Sequence, residues 1–427
     1  MKPRRGHPLA AFLRATELDT RLLGMVGALL LIWIAFHFLS GGLFLTPRNL
    51  WNLSVQAAPV AIMATGMALV IIARNIDLSI GSMLGFLGMI MGVIQADLLP
   101  KLIGFEHPAT WILALCAGLI LGVMIGALQG FVIAYLGLPS FIVTLGGLLV
   151  WRGAAWWVTS GQTVAPLDFR FRLMGGGPEG SIGATWSWAV GLMACVALFL
   201  AQAHARSRRK NFHFPLRPMA AEIFLGGMGC LLILGAVAVA NAYPWPIGTV
   251  RRYAAANHLQ IPSGGLFIAH GIAIPVLMAI GIGAAMTFLA TRTRFGRYVY
   301  AIGGNREAVE LAGVDTRWVL MKLFMLMGLL AGIGGAISIA RLNAATNAEG
   351  TFAELLVVAA AVIGGTSLAG GVGTVAGAML GAVLMQSLQS GMVLLGVDTP
   401  LQNIVVGVVL VLAVLIDTFY RRRTQRV

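Results

Sequence analysis

The chain has 427 residues, of which 59% are hydrophobic and only 10% charged, with a mean hydropathy of +0.89. So low a charge fraction excludes an ordinary soluble enzyme and places the chain among membrane proteins before any motif is read. A formal net charge of +14 invites a nucleic-acid reading, but the basic residues cluster in short loops beside apolar spans, so no nucleic acid is expected as a partner.

The first 21 residues, MKPRRGHPLAAFLRATELDTR, form a polar leader. The apolar run behind it is long enough to cross a ~30 Å hydrocarbon core and reads as an uncleaved first span. The spans predicted in chain order are 22–44, 54–73, 78–96, 109–136, 139–158, 186–203, 222–243, 268–290, 321–341, 354–396 and 402–419. The expected fold is an all-α polytopic membrane protein, a bundle of about ten to twelve transmembrane helices within residues 22–419. Segments 139–158 and 354–396 begin or break with proline or glycine, at GLPSF and GGTSLAGGVG. Either therefore admits a discontinuous or re-entrant helix.

Lys and Arg set the orientation. The leader (Lys2, Arg4, Arg5, Arg14, Arg21), RSRRK in the loop 204–221, Arg292, Arg294 and Arg297 in the loop 291–320, and the tail 420–427 are expected to be cytoplasmic. Both termini then lie inside and the number of spans is even. The loops expected on the other face, 161–181 and 244–265, are too short to fold as soluble domains. Cys116, Cys195 and Cys230 all lie in apolar runs far apart in sequence, which supports neither a disulfide framework nor a metal or redox pair. Gly118, Gly122, Gly126 and Gly130 recur every fourth residue, as do Gly373, Gly377 and Gly381. Such stripes let helix backbones approach closely in lipid, either as plain bundle packing or as a moving seam.

Ionisable groups inside the membrane mark most transport sites. Here Asp77, Glu222, Glu354 and Asp417 fall at span edges, leaving no carboxylate relay for protons or sodium. His37 and His270 read as packing residues; Arg152, in LLVWRGAAWW, suits either a backbone carbonyl or a substrate. No HExxH, no nucleophile and base pair, and no GxxxxGK[ST] occurs, so neither ATP hydrolysis nor covalent chemistry is expected, and no metal or cofactor. If transport needs energy, a partner must supply it.

Residues 301–324, AIGGNREAVELAGVDTRWVLMKLF, stand out as a charged interlude. Gly303 and Gly304 are expected to interrupt the preceding structure, and Asn305 is a good N-cap. Glu307 then occupies the first turn, where the helix dipole favours an anion. Ala308, Leu311 and Ala312 share an apolar face, Gly313 ends the helix, and Asp315 caps the next. A helix of about two turns, roughly 12 Å long, is marginal alone in water. Its apolar face requires a surface, either the membrane or a partner.

EAVELAG, Glu307 to Gly313, resembles the EAA-x3-G signature of ABC-importer permeases, with Val309 in place of the second alanine. IDLSIGSMLG (76–85), LPSFIVTLGG (138–147), TRTRFGRYVYAIGGNREA (291–308) and VIGGTSLAGGVGTVAGA (362–378) extend the resemblance to permeases of the ribose and xylose type of sugar importer. It runs in order from about residue 50 to the C-terminus, and the hairpin around RSRRKNFHFPLRPMAAE is most similar to the xylose type.

The resemblance implies a type II ABC importer-like permease with no enzymatic activity of its own, in the inner membrane of a bacterium. Two copies would form the pathway for a monosaccharide, D-xylose by likeness alone. Cytoplasmic ATPase subunits would dock around Asn305, Glu307, Ala308, Leu311 and Gly313, and a periplasmic binding protein would deliver the sugar. Candidate pathway residues are Asn75, Asp77 and Ser79 in NIDLS, Thr144, Arg152, and Thr366 and Ser367 in GGTSLAGG. Helix capping is the competing role for NIDLS, and the likeness of the two broken segments hints at duplicated halves. An ion-coupled secondary transporter and a membrane enzyme or structural subunit stand as alternatives, both disfavoured by the sparse acids and ligands.

Overall fold

The structure, a computed structural model, describes residues 17, 20–104, 107–262 and 265–424. Lys2, Arg4, Arg5 and Arg14 of the leader and the last three residues of the tail lie outside them. Among the described residues no β-strand forms, only two isolated bridges. This is the expected outcome in lipid, where a helix satisfies its own backbone polar groups.

The first helices are α1 (Thr20–Leu39), α2 (Pro47–Ile72), α3 (Ile80–Ile103, with a π-helical turn at Ile94–Leu98), α4 (Thr110–Ala134) and α5 (Ser140–Trp157). After them come α6 (Gly183–Asn211), α7 (Met219–Asn241), α8 (Ile247–Ala256), α9 (Ile274–Arg292), α10 (Arg294–Gly304) and α11 (Arg306–Leu311). The last are α12 (Thr316–Leu342), α13 (Ala353–Ile363), α14 (Val375–Leu394) and α15 (Thr399–Thr424). Among the described residues nine helices are long and apolar enough to cross a membrane: α1 to α4, α6, α7, α9, α12 and α14. That is one fewer than the lower end of the expected range; α13 and the Thr399–Leu412 part of α15 are apolar but shorter. Segment 139–158 is one continuous helix, whereas 354–396 divides into α13 and α14 around the non-helical stretch 364–374.

The described chain divides into two compact units. The larger comprises Ala28–Leu45, Asn52–Gly180 and the residues from Ala273 onward. Its core is built on α2 and α12: Met67, Leu69, Leu323, Phe324 and Met327 are fully buried. Helix α4 crosses α12 on glycine, because a Cβ on Gly126 would overlap the carbonyl oxygen of Phe324 and one on Gly328 that of Gly122. Apolar side chains gain no hydrophobic drive by associating in lipid, so close backbone approach supplies the dispersion contact instead. Gly377 and Gly381 seat α14 on α13 in the same way, against the carbonyls of Gly364 and Ala360. Both predicted stripes therefore join helices of one chain.

The smaller unit comprises the described residues up to Gly27, Thr46–Trp51 and Ser181–Ile272. Here α6 and α7 form a hairpin closed by Arg206 on Glu222 at 2.7 Å. The Glu17 carboxylate accepts from Arg209 at 2.6 Å and from Arg217, and these two guanidiniums, Arg209 foremost, hold it down at about 2. Cys195 and Cys230, distant in sequence, face each other across the hairpin as free thiols. His270, expected inside a span, instead precedes α9. Its ring lies flat on Tyr243 at 4.2 Å with Nδ1 3.0 Å from the Tyr243 carbonyl, and burial pushes its pKa down.

Candidate coupling site and helix breaks

The interlude at 305–315 folds by its local rules. The Asn305 side chain accepts from the Ala308 amide at 3.1 Å and the Asp315 side chain from the Trp318 amide at 3.0 Å, so each caps the helix that follows. Gly313 has φ +80°, the left-handed conformation that suits glycine after a helix end. Arg306 pairs with Glu310 at 2.9 Å, and the Thr316 hydroxyl donates to the same carboxylate oxygen at 2.5 Å. The Thr316 hydrogen bond first and Arg306 second hold the Glu310 carboxyl below its usual range. Helix α11 is one turn and a half, shorter than predicted.

Its inner contact is Val309, which is buried, whereas Leu311 on the predicted apolar face is 90% exposed. Glu307, Ala308 and Gly313 are exposed beside it.

Gly303 and Gly304 do not interrupt α10, contrary to expectation; they are its last residues. Gly303 serves a close approach, since a Cβ there would overlap the carbonyl oxygen of Ile72 and crowd the Gly371 amide. Three links leave this point. Arg74 donates from Nε to the Gly303 carbonyl and from Nη2 to that of Gly304, both at 2.8 Å. The Gly371 amide donates to the Ile72 carbonyl at 2.9 Å, and the Tyr300 hydroxyl donates to the Gly373 carbonyl at 2.8 Å. Both broken segments, 73–79 and 364–374, are thus fastened to the helix that leads into α11.

The first break lies deeper than the span edge expected for it. Gly66 packs on Leu330 and Met327, whereas Gly335 meets the Leu84 carbonyl and Gly88 meets Ile339. Helix α3 therefore starts beside the middle of α12, well above the level at which α2 ends. Inside the break Asp77 and Ser79 are fully buried. Asp77 Oδ1 accepts from the Ser79 amide at 2.9 Å and its hydroxyl at 2.6 Å, a local turn bond within the break, while α3 itself, with Ser79 at its N-cap, has no side-chain cap. Ser79 meets Gln129 of α4, whose Nε2 donates to its hydroxyl at 3.0 Å. Thr144 donates to the carbonyls of Ser140 at 2.9 Å and Ile76 at 3.2 Å, and Asn75 bonds its own turn at Ala73. The structure gathers Asp77, Ser79 and Thr144, and adds Gln129. No motif surrounds Gln129; its position in an apolar helix was the available signal.

Thr366 and Ser367 belong to the second break, fully buried. Arg152 is apart from both. Its Nη1 donates to the carbonyls of Glu349 at 2.9 Å and Asn347 at 3.1 Å, so it pins the descending segment 343–352 to α5. That segment delivers Glu354, 6% exposed, to the first turn of α13, against Gly81. Asp77 and Glu354 mark helix ends, as expected, yet both lie inside the fold. Asp77 Oδ2, Glu354 Oε2 and the Thr366 and Ser367 hydroxyls are buried without a hydrogen-bond partner. Among the described residues no three His, Cys, Asp or Glu side chains gather as metal ligands.

Apolar helices long enough to cross a membrane, two helix breaks and an exposed capped helix wired to both are the architecture of a polytopic membrane protein. Residues 49–414 match the family model described as branched-chain amino acid transport system / permease component, and the chain belongs to that family. It is 36% identical over 408 residues to the xylose transport system permease protein XylH of Escherichia coli (strain K12), covering 96% of this chain and 94% of that one. It is 35% identical over 399 residues to XylH of Haemophilus influenzae, at 93% and 96% coverage. It is 31% identical over 388 residues to the ribose import permease protein RbsC of Escherichia coli (strain K12), at 91% of both. No solved structure matches. The chain is a multi-pass membrane permease subunit of the sugar ABC importer type, with a partner ATPase and binding protein implied by its family.

Proposed function

We infer that the chain, in the inner membrane of a bacterium, passes a monosaccharide, D-xylose foremost, by alternating access. Two copies form the pathway, both termini are cytoplasmic, and ATPase subunits dock on Asn305, Glu307, Ala308, Leu311 and Gly313. The observation that carries this reading is the pairing of an exposed Leu311 with the links from Gly303, Gly304 and Tyr300 to both helix breaks. A partner moving α11 pulls on Arg74 and on the 371–373 turn. The non-helical segments are where α2, α3, α13 and α14 can change their relative tilt. Asp77, Ser79, Thr144, Thr366 and Ser367 then act at the bending points, Arg152 holds the descending segment, and Asn75 closes the end of α2. The test is uptake of labelled xylose, ribose and arabinose into proteoliposomes holding the permease, its ATPase and its binding protein. ATP-dependent xylose uptake is expected, and its absence for every sugar defeats the reading.

The unpartnered oxygens of Asp77 and Glu354 favour a second reading, ion coupling, which the sparse acids of the sequence disfavoured. A proton or sodium gradient driving uptake by the permease alone would establish it.

A further inference from the structure

The larger unit contains a cavity of about 330 Å³ between α2, α3, α12, α13, α14 and the descending segment 343–352, beside the start of α3, where its wall residue Gly350 packs on the Gly81 carbonyl. Its volume lies in the range of small-molecule sites, ~300–1,000 Å³. We propose that this cavity is a monosaccharide subsite in the outer half of the pathway, with Gln56, Gln386 and Gln389 as its recognition residues; the assignment rests on the sugar-importer reading above.

The chemistry of the lining is that of a neutral polyhydroxylated ring. Gln386 Nε2 donates to Gln56 Oε1 at 3.1 Å, which fixes both amide planes. The pair still offers an acceptor on Gln386 and a donor on Gln56, the combination that vicinal hydroxyls match as donors and acceptors together. Gln389 lies one turn along α14 on the same wall. Met63 and Leu84, both buried, floor the cavity and present an apolar surface to the C–H face of a sugar. Charge is confined to Arg341 and Glu349 at the rim. They are opposite in sign, so the lining carries no net charge. Arg341 is exposed, while the buried polar groups, Gln386 and Ser338, are neutral. That placement favours a neutral ring over a zwitterionic amino acid, whose charges would seek burial against a guanidinium or a carboxylate.

Gln389, half-buried at the cavity wall, is the residue to vary. In the reconstituted complex, Gln389→Leu is expected to lower the initial rate of xylose uptake about tenfold, the effect of losing one or two hydrogen bonds to substrate. Gln389→Asn, which keeps the amide, recovers part of the rate. In a second arm, Cys116, Cys195 and Cys230 are replaced by alanine, Gln389→Cys is introduced, and alkylation of the new thiol is timed. Xylose is expected to slow it, and leucine is not. Unchanged uptake in Gln389→Leu, or alkylation indifferent to xylose, overturns the subsite while wild-type uptake leaves the importer reading standing. Protection by leucine and not by xylose overturns the neutral-sugar assignment. Failure of the wild type to transport any sugar defeats the importer reading itself, and the subsite with it.

Discussion

Replacing Arg74 with glycine separates the coupling link from the stability of the fold. Arg74 stands just past the end of α2 with φ +61°, and the Asn75 amide returns to the Val70 carbonyl at 3.0 Å, a helix ending that normally uses glycine. A non-glycine residue in this conformation costs roughly 1 kcal/mol. The side chain offsets the strain with two hydrogen bonds to Gly303 and Gly304. The half-buried, charge-assisted one contributes ~1.5–3 kcal/mol, and the exposed one is discounted to ~0.5 kcal/mol. Arg74→Gly therefore changes overall stability by only about 1–2 kcal/mol, a melting shift of a few degrees. The whole loss, ~2 kcal/mol or more, falls on the link between α10 and the first break, which is roughly a thirtyfold shift in a coupled equilibrium. In proteoliposomes with ATPase and binding protein, uptake is expected to fall at least about tenfold while the permease still inserts and the basal ATPase rate persists. Arg74→Lys keeps the charge without the fork and falls between. Wild-type uptake in Arg74→Gly would refute the reasoning.

Other consequences are as direct. Leu311→Ser removes an exposed side chain whose burial under a partner is worth ~1.5–3 kcal/mol, so ATPase co-purification should weaken tenfold or more at unchanged permease yield. Glu307→Arg and Gly313→Pro should insert normally yet lose uptake and sugar-stimulated ATPase; intact stimulation in both would remove α11 from the coupling role. Gly328→Leu forces side-chain atoms into the Gly122 carbonyl at ~1–3 kcal/mol or more, read as a lower melting temperature and poorer expression. The lowered Glu310 pKa sets a pH expectation. A depressed carboxylate contributes stability that is fully present above its unfolded value and fades only as pH falls through the folded one. Co-purification should then be flat from neutrality down to about pH 5; a sharp loss between pH 8 and 6 would point to a different group.

What the sequence disclosed and what it concealed divide along the reach of each interaction. Asn305, Gly313 and Asp315 act within three residues of themselves, so propensity and capping rules located α11 and its neighbour. The glycine stripes were legible as close-packing seams because their spacing is helical. Gly303 was misread as a breaker because its reason is the Ile72 carbonyl, far away in the chain. Arg74, Gln129 and the Gln56 and Gln386 pair carry no local signature, and only the packing of α2, α4 and α14 brings them to their partners. Glu354 was placed at a span edge because a helix that begins within the fold has the same apolar pattern as one that begins at the surface.

Energy source is the central claim, and one reconstitution tests it. Labelled xylose uptake is measured in proteoliposomes with the permease alone under proton and sodium gradients, and with its ATPase and binding protein plus ATP. The account predicts uptake only in the complete, ATP-driven system. Gradient-driven uptake by the permease alone would contradict it.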